Sequence, residues 1–252
     1  MIKLFRKIRL KLLSENKLSK YLVYAIGEIV LVVIGILIAL QINNWNETKK
    51  SEKRITGYME NLVDDIKSDV KEFNENIKYY QYDIEQNKRI ITSDDYKLLG
   101  VDSIVKLTGY LYLIDRTTRQ TYEKIKNEGV IESLGSEKIN KAVSDYYNLD
   151  IIYYQNMLKW DKEETSESLN FWFYNKDYES SSTRNYNTNA LPFLTSSEKR
   201  KTDLITLIES VEGRNHIRNN LIRKKHLLKK VREIKQAAKS LIEELTLELN
   251  ER

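Results

Sequence analysis

Hydrophobic residues form one long uninterrupted run near the N-terminus of this 252-residue chain. Residues 22–40 read LVYAIGEIVLVVIGILIAL and contain a single ionisable residue, Glu28. About 20 apolar residues are what an α-helix needs to cross the hydrocarbon core of a bilayer. The run is too long for a secretory signal peptide, and its end matches a cleavage site poorly. The sequence therefore predicts an uncleaved transmembrane helix over residues 21–42.

Beyond this run, apolar residues recur three or four positions apart and polar residues fill the positions between them. Between residues 47 and 91 the apolar positions are Ile55, Met59, Leu62, Ile66, Val70, Phe73, Ile77, Tyr80, Ile84 and Ile91. This heptad-like spacing predicts a long amphipathic helix that continues directly from the transmembrane helix. At about 1.5 Å per residue it would extend roughly 65–70 Å.

The remaining sequence predicts two more long helices and one loop. One helix is expected from Ser136 to about Tyr174. Another is expected from Ser196 to Glu251, with a candidate break at Gly213. Residues 96–127 have a helical tendency that Gly100 and Gly109 interrupt, and the polar residues 179–192 end in the only proline of the chain and predict a loop.

Charges on the first and last long helices predict that these helices pair. Each helix is basic and then acidic in its N-to-C direction, so an antiparallel arrangement brings opposite charges together. One register would pair Arg54 with Glu243, Asp65 with Arg232, and Glu72 with Lys225. The predicted fold class is therefore all-α, with an N-terminal transmembrane helix continuing into a long antiparallel helical bundle, four-helix and coiled-coil-like.

The flanks of the apolar run predict its orientation. Residues 1–20 carry seven basic residues and one acidic residue. Their net charge of +6 exceeds the net charge of +5 of the whole chain. Basic flanks stay on the cytoplasmic side, so we expect the N-terminus inside and the bundle outside. The predicted division is a basic segment over 1–20, a transmembrane helix over 21–42 and an exported bundle over 43–252. A mitochondrial presequence is a minor alternative for the basic segment.

The N-terminal sequence resembles a known family. The segment KYLVYAIGEIVLVVIGILIALQINNWNE, preceded by a basic stretch, is similar to a domain-of-unknown-function family of small membrane proteins from Gram-negative bacteria. Residues 122–129 and 139–147 also fit that family's pattern of tyrosines, with Asn127-Glu128-Gly129 in place of its usual Ser-Gly. The resemblance implies a single-pass protein of the inner membrane with a periplasmic body, and it implies no reaction or ligand.

One face of the transmembrane helix combines small residues with the ionisable Glu28. This transmembrane packing face consists of Ala25, Glu28, Val32, Gly35 and Ala39, which recur at steps of three and four. Small residues allow close approach of helices, so the face could pack against a second copy or a partner with Glu28 hydrogen-bonded inside. In the alternative reading Glu28 is protonated or reaches toward the headgroups, and the glycines are incidental.

Candidate chemistry in the sequence is sparse. The chain has no cysteine, which excludes thiol nucleophiles, disulfides and cysteine-ligated metals. His216 and His226 are about three helical turns apart, too far to share a metal on a straight helix, so solvated or interfacial histidines are expected. Nucleotide-binding and hydrolase motifs are missing as well. We therefore expect no enzyme, no cofactor and no metal site.

The basic stretch over 214–235 is expected to pair within the bundle, which leaves no nucleic-acid partner.

Aromatic residues crowd the third long helix and its end. Its last residues form a candidate partner or ligand surface: Trp160, Phe171, Trp172, Phe173 and Tyr174. Four consecutive aromatic residues cannot all face one core, although ordinary core packing remains the alternative for most of them.

Two functions are compatible with these patterns. The first is a membrane-anchored helical interaction or scaffold protein that self-associates, with the lipid bilayer and a second copy or another inner-membrane protein as partners. The second is a sensory or regulatory subunit whose periplasmic bundle binds a small ligand and signals through a membrane partner.

Overall fold

The structure is a computed structural model that describes residues 18–109, 111–174, 176–180 and 192–252. Regular structure in these residues is entirely helical. The α-helices are α1 (Leu18–Thr92), α2 (Val101–Lys106), α3 (Gln120–Asn127), α4 (Glu137–Asp145), α5 (Ile151–Phe173), α6 (Ser197–Glu209) and α7 (Val211–Glu251). A π-helical turn over Tyr146–Asp150 joins α4 to α5, and two short 3₁₀ turns cover Asp95–Leu98 and Ile131–Ser133.

Helix α1 runs unbroken for 75 residues, from the apolar run into the amphipathic sequence beyond it. Among the described residues it is the one helix that is long and apolar enough to cross a membrane. The chain divides into two compact units, Met1–Gly57 and Tyr58–Arg252. The described part of the first unit is the N-terminal part of α1, and residues 1–17 of the predicted basic segment lie outside the described residues.

The second unit is a bundle of the C-terminal part of α1 with α4, α5 and α7. Its core is closely packed around the apolar positions of these helices, which include Leu62, Ile66, Phe73, Tyr80, Tyr154, Leu227, Val231 and Leu245. Helix α7 is antiparallel to α1, since Arg214 donates to the carbonyl of Ile90 at 2.9 Å and Asn220 contacts Asp83 at 3.3 Å. The all-α fold class, with a long N-terminal helix packing on the C-terminal helices, is confirmed.

The predicted register of this pairing is wrong. The expected pairs would place Arg214 and Asn220 about two helical turns away from the residues that they contact. Arg223 and Lys224, which we expected to face the acidic side of the first helix, instead form ion pairs with Asp161 in α5. Buried polar contacts set the register here. Exposed ion pairs are screened by solvent and contribute little to the free energy of pairing, so they do not determine it.

The segment between α1 and α4 contains short helices and a stretch without regular structure over residues 111–119. Helix α2 lies between the two predicted interruptions, Gly100 and Gly109. Gly109 has a left-handed backbone with φ of 73°, and a Cβ atom there would overlap the side-chain amides of Asn220 and Asn87. Only glycine lets the chain pass this close to the bundle core.

Serine caps begin the later helices. Ser136 accepts a hydrogen bond from the backbone N–H of Ile139 at the start of α4, as Ser196 does from that of Lys199 in α6. Both starts agree with the predicted helices. The last helix breaks at Ser210, which caps α7, rather than at Gly213. The predicted loop over 179–192 lies mostly outside the described residues.

Candidate functional site

The five residues of the transmembrane packing face lie along one side of α1. Val32, Gly35 and Ala39 are exposed, while Ala25 and Glu28 are half-buried. A Cβ atom added at Gly35 would meet nothing within 4 Å. The apolar run is largely exposed all around the helix, so this side is open to another helix as the other sides are.

The aromatic set at the end of α5 divides into buried and exposed members. Trp172 is 2% exposed, and its indole N–H donates to Ser168 at 3.2 Å. Phe171 and Phe173 are half-buried against the same core cluster. Trp160 and Tyr174, by contrast, are 41% and 83% exposed. These residues do not form one surface, and Trp172 is not accessible to a partner.

Both histidines of α7 contact aromatic side chains of α5. The imidazole of His216 stacks on the ring of Phe171, with 4.3 Å between centroids, and burial lowers the pKa of His216. His226 meets Trp160 edge-on at 6.4 Å. Among the described residues, no three His, Asp or Glu side chains are grouped to hold a metal ion.

A buried ionic network lies where α5 crosses α7, and Asp161 is at its centre. One carboxylate oxygen of Asp161 accepts from Nε of Arg223 and the other from Nζ of Lys224, both at 2.8 Å. Lys224 also donates to the carbonyl of Leu111 at 2.9 Å. Asp161 and Lys224 are completely buried, and Arg223 is 5% exposed. Burial lowers the pKa of Lys224, and the attraction of Asp161 opposes this effect.

The network continues through Asn220 to α1. The side-chain amide of Asn220 donates to Asp83 at 3.3 Å and to Asn87 at 3.0 Å, while its oxygen accepts from Nη2 of Arg223 at 2.7 Å. Burial raises the pKa of Asp83, and the charge of Lys224 opposes that rise. Three helices are therefore held in one register by hydrogen-bonded polar side chains.

None of these network residues was predicted as a site from the sequence, although a signal for them exists. Asp161 falls in step with the buried positions of α5, which are Ile151, Tyr154, Met157, Leu158, Thr165, Ser168 and Trp172. A charged residue on the apolar face of a helix indicates a buried partner of opposite charge. The sequence does not indicate which residues of another helix provide that partner. Only the fold shows them.

A second buried cluster surrounds Asp69 in α1. Its carboxylate accepts from the backbone N–H of Thr118 and from the hydroxyl of Tyr146, each at 2.8 Å. Burial raises the pKa of Asp69 to about 6, although both hydrogen bonds oppose the rise. Beside it the rings of Tyr122 and Tyr147 stack 4.4 Å apart. Residues 122–129 and 139–147 fit the family's pattern of tyrosines, and their tyrosines Tyr122, Tyr146 and Tyr147 thus meet in one cluster.

An open groove of about 430 Å³ lies between α5 and α7, above the ionic network. It is lined by Trp160, Glu164, Asn219, Ile222, Arg223 and His226. The buried network reaches the surface here through Arg223. This groove, which we call the α5–α7 groove, combines aromatic, aliphatic and charged side chains and is the candidate ligand site of the bundle.

Comparison with known proteins places the chain in a family. A family model described as "Family of unknown function (DUF6090)" matches residues 28–211, which is well over half of the chain. Searches of curated proteins and of solved structures return no match. The matched range includes residues 28–40 of the apolar run, the Asp69 cluster and Asp161. The chain therefore belongs to the DUF6090 family of unknown function.

Proposed function

We propose that this protein is a single-pass, membrane-anchored helical interaction protein that associates with a second copy of itself through its transmembrane helix. The residues of the N-terminal flank support a cytoplasmic N-terminus, and the body beyond residue 42 would then lie in the periplasm of a Gram-negative cell. Its role is to hold a helical bundle at the membrane surface for partner proteins. The proposal includes no catalytic activity.

The observation that carries this proposal is the open packing face of α1. Gly35 and Ala39 have the small-xxx-small spacing that brings transmembrane helices close together, and no side chain of the described residues fills the space at Gly35. Glu28 lies on the same face, two turns before Gly35. Self-association through this face would place the Glu28 carboxylate at the helix–helix interface and away from the lipid chains.

Cysteine crosslinking tests the self-association directly, because the chain contains no cysteine of its own. We expect Gly35→Cys to form an oxidised dimer in native membranes, whereas Ile36→Cys on the neighbouring face does not. Equal crosslinking at the two positions would contradict the proposed face. A crosslink to a different protein at position 35 would show a heterologous partner in place of the second copy.

A labelling experiment tests the orientation. Cysteines are introduced one at a time at Ser14 and at the exposed Glu52, and spheroplasts are treated with a membrane-impermeant maleimide. We expect Glu52→Cys to react in intact spheroplasts and Ser14→Cys to react only after lysis. The reverse pattern would place the bundle in the cytoplasm.

A second candidate function is a sensory or regulatory subunit, and the α5–α7 groove is the observation that favours it. The groove has the size of a small-molecule site and lies on the surface of the bundle. Helix α1 belongs to this bundle and is continuous with the apolar run. Ligand binding there would have to be passed on to a membrane partner. Saturable binding of a small molecule favours this function, and a stoichiometric protein partner after gentle solubilisation favours the first.

A further inference from the structure

The α5–α7 groove presents one positive and one negative group side by side. Nη1 of Arg223 lies 3.9 Å from a carboxylate oxygen of Glu164, which is longer than a hydrogen bond. Glu164 is nearly half exposed, whereas Arg223 is 5% exposed. The two groups therefore form a loose ion pair on the lining of the groove, where ligand charges could join them from the open side.

Only one edge of the Arg223 guanidinium remains available to a ligand. Its Nε donates to Asp161 at 2.8 Å, and its Nη2 donates to Asn220 at 2.7 Å and to Thr165 at 3.1 Å. These bonds hold the guanidinium plane in place and leave Nη1 directed to the side of Glu164. A guanidinium fixed in this way is preorganised to bind a carboxylate.

The walls of the groove are apolar on both sides. Trp160 of α5 is 41% exposed, and Ile222 of α7 is 60% exposed. They line the same groove as the charged pair, together with the amide of Asn219 and the imidazole of His226 at its rim. Exposed large apolar side chains that converge beside polar groups are typical of a small-molecule site.

We propose that the α5–α7 groove binds a free α-amino acid with an apolar side chain. The ligand carboxylate pairs with Nη1 of Arg223, the ligand ammonium pairs with Glu164, and the apolar side chain lies between Trp160 and Ile222. This inference rests on the second candidate function, a bundle that binds a small ligand, and it names the ligand class.

Charge complementarity selects a zwitterion over singly charged ligands. A carboxylate without an amine would meet the negative charge of Glu164 as well as Arg223. An amine without a carboxylate would bind Glu164 but face the charge of Arg223. An α-amino acid instead places alternating charges in a ring with the two protein groups, so that each charge has an opposite neighbour.

The proposal is tested by calorimetric titration of the full-length protein in detergent. The probes are L-leucine and L-phenylalanine, with 3-methylbutylamine and 4-methylpentanoate as leucine analogues that lack the carboxylate or the amine. We expect saturable binding of at least one amino acid and a loss of about tenfold or more in affinity for both analogues. Absence of binding by both amino acids, or equal binding of the analogues, would overturn the proposal.

Two groove variants locate the binding site. Glu164→Gln and Trp160→Ala change exposed side chains, so the fold should be retained, and each should weaken amino-acid binding by about tenfold or more. Glu163→Gln is the matched control, because Glu163 is the exposed neighbour of Glu164 and does not line the groove. Unchanged binding in Glu164→Gln would reject the site. The crosslinking at Gly35 is independent of these measurements, so failure of ligand binding and failure of self-association are distinguishable.

Discussion

Nζ of Lys224 in α7 donates a hydrogen bond to the carboxylate of Asp161 in α5 at 2.8 Å, and neither side chain is exposed to solvent. Removing two charges from water is costly, and the cost is offset only when each charge finds its partner with good geometry. The pair therefore links the two helices at one position along their length. A shift of either helix by one turn would separate the charges inside the core.

Replacement of Asp161 by asparagine should destabilise the bundle strongly. Lys224 and Arg223 would lose the buried carboxylate that both of them contact, and breaking a buried pair on one side costs about 3–5 kcal/mol. We expect that loss in the free energy of unfolding, measured by urea titration of the detergent-solubilised protein with far-UV circular dichroism. The exposed Glu163→Gln is the control. Equal stability of the two variants would show that the buried pair contributes nothing to the fold.

Asp69 should make stability dependent on pH. Its pKa is raised by burial from 3.8 to about 6, so the folded protein binds this proton more tightly than the unfolded chain does. The free energy of unfolding should therefore fall as the pH rises from about 4 to about 6. The stability lost between acid and neutral pH is about 3 kcal/mol, since each pKa unit corresponds to about 1.4 kcal/mol.

Asp69→Asn provides the comparison, because the amide can still bond Thr118 and Tyr146 but does not titrate. The melting temperatures of both proteins are measured between pH 4 and pH 7. We expect the wild-type protein to lose stability relative to the variant as the pH rises across this interval. A constant difference between them would mean that the pKa of Asp69 is the same in the folded and the unfolded protein.

Gly213 should not tolerate alanine. A Cβ atom at this position would overlap the backbone carbonyl oxygen of Leu207, where the chain turns from α6 into α7. Backbone must move to make room, and overpacking of this kind costs about 1–3 kcal/mol. Gly57→Ala is the matched control, since Gly57 is helical with nothing within 4 Å of its Cβ position. Alanine there should stabilise α1 by about 0.5–1 kcal/mol. Urea unfolding should move in opposite directions for the two variants.

Trp172 and Tyr174 should respond differently to truncation. Trp172 is buried in the cluster that contains Ile104, Leu204 and Ile217, so Trp172→Ala should lower the free energy of unfolding by about 3–5 kcal/mol. Tyr174 is 83% exposed, and Tyr174→Ala should leave stability within about 0.5 kcal/mol of the wild-type value. Thermal unfolding of the two variants checks this. A large loss with Tyr174→Ala would mean that another part of the protein covers this residue.

The helices could be predicted from the sequence because helical periodicity is a local property. The apolar steps of three and four residues before Ile91 and after Ser136 indicate which face of each helix is buried. The capping serines Ser136 and Ser196 indicate where two of the helices begin. The antiparallel direction of α1 and α7 also followed from their charges.

The register and the candidate ligand site could not be predicted in this way. Exposed charges such as Arg54 and Glu243 suggested a register, but solvent weakens such pairs, and the buried contacts of Asn220 and Lys224 prevail. The aromatic residues after Trp160 looked alike in the sequence. In the fold, Trp172 lies on the buried face of α5, whereas Tyr174 follows the last residue of the helix and is exposed.

The sequence by itself determined that this is an all-helical chain with one membrane-length apolar helix continuing into an amphipathic one. Those properties depend on residues close together in the chain. Only the tertiary structure decided that Asp161 meets Arg223 and Lys224, and that Arg223 faces Glu164 beneath Trp160 and Ile222. These groups are about 60 residues apart in sequence, and they converge because the packing of three helices fixes one register among many that the heptad-like pattern allows.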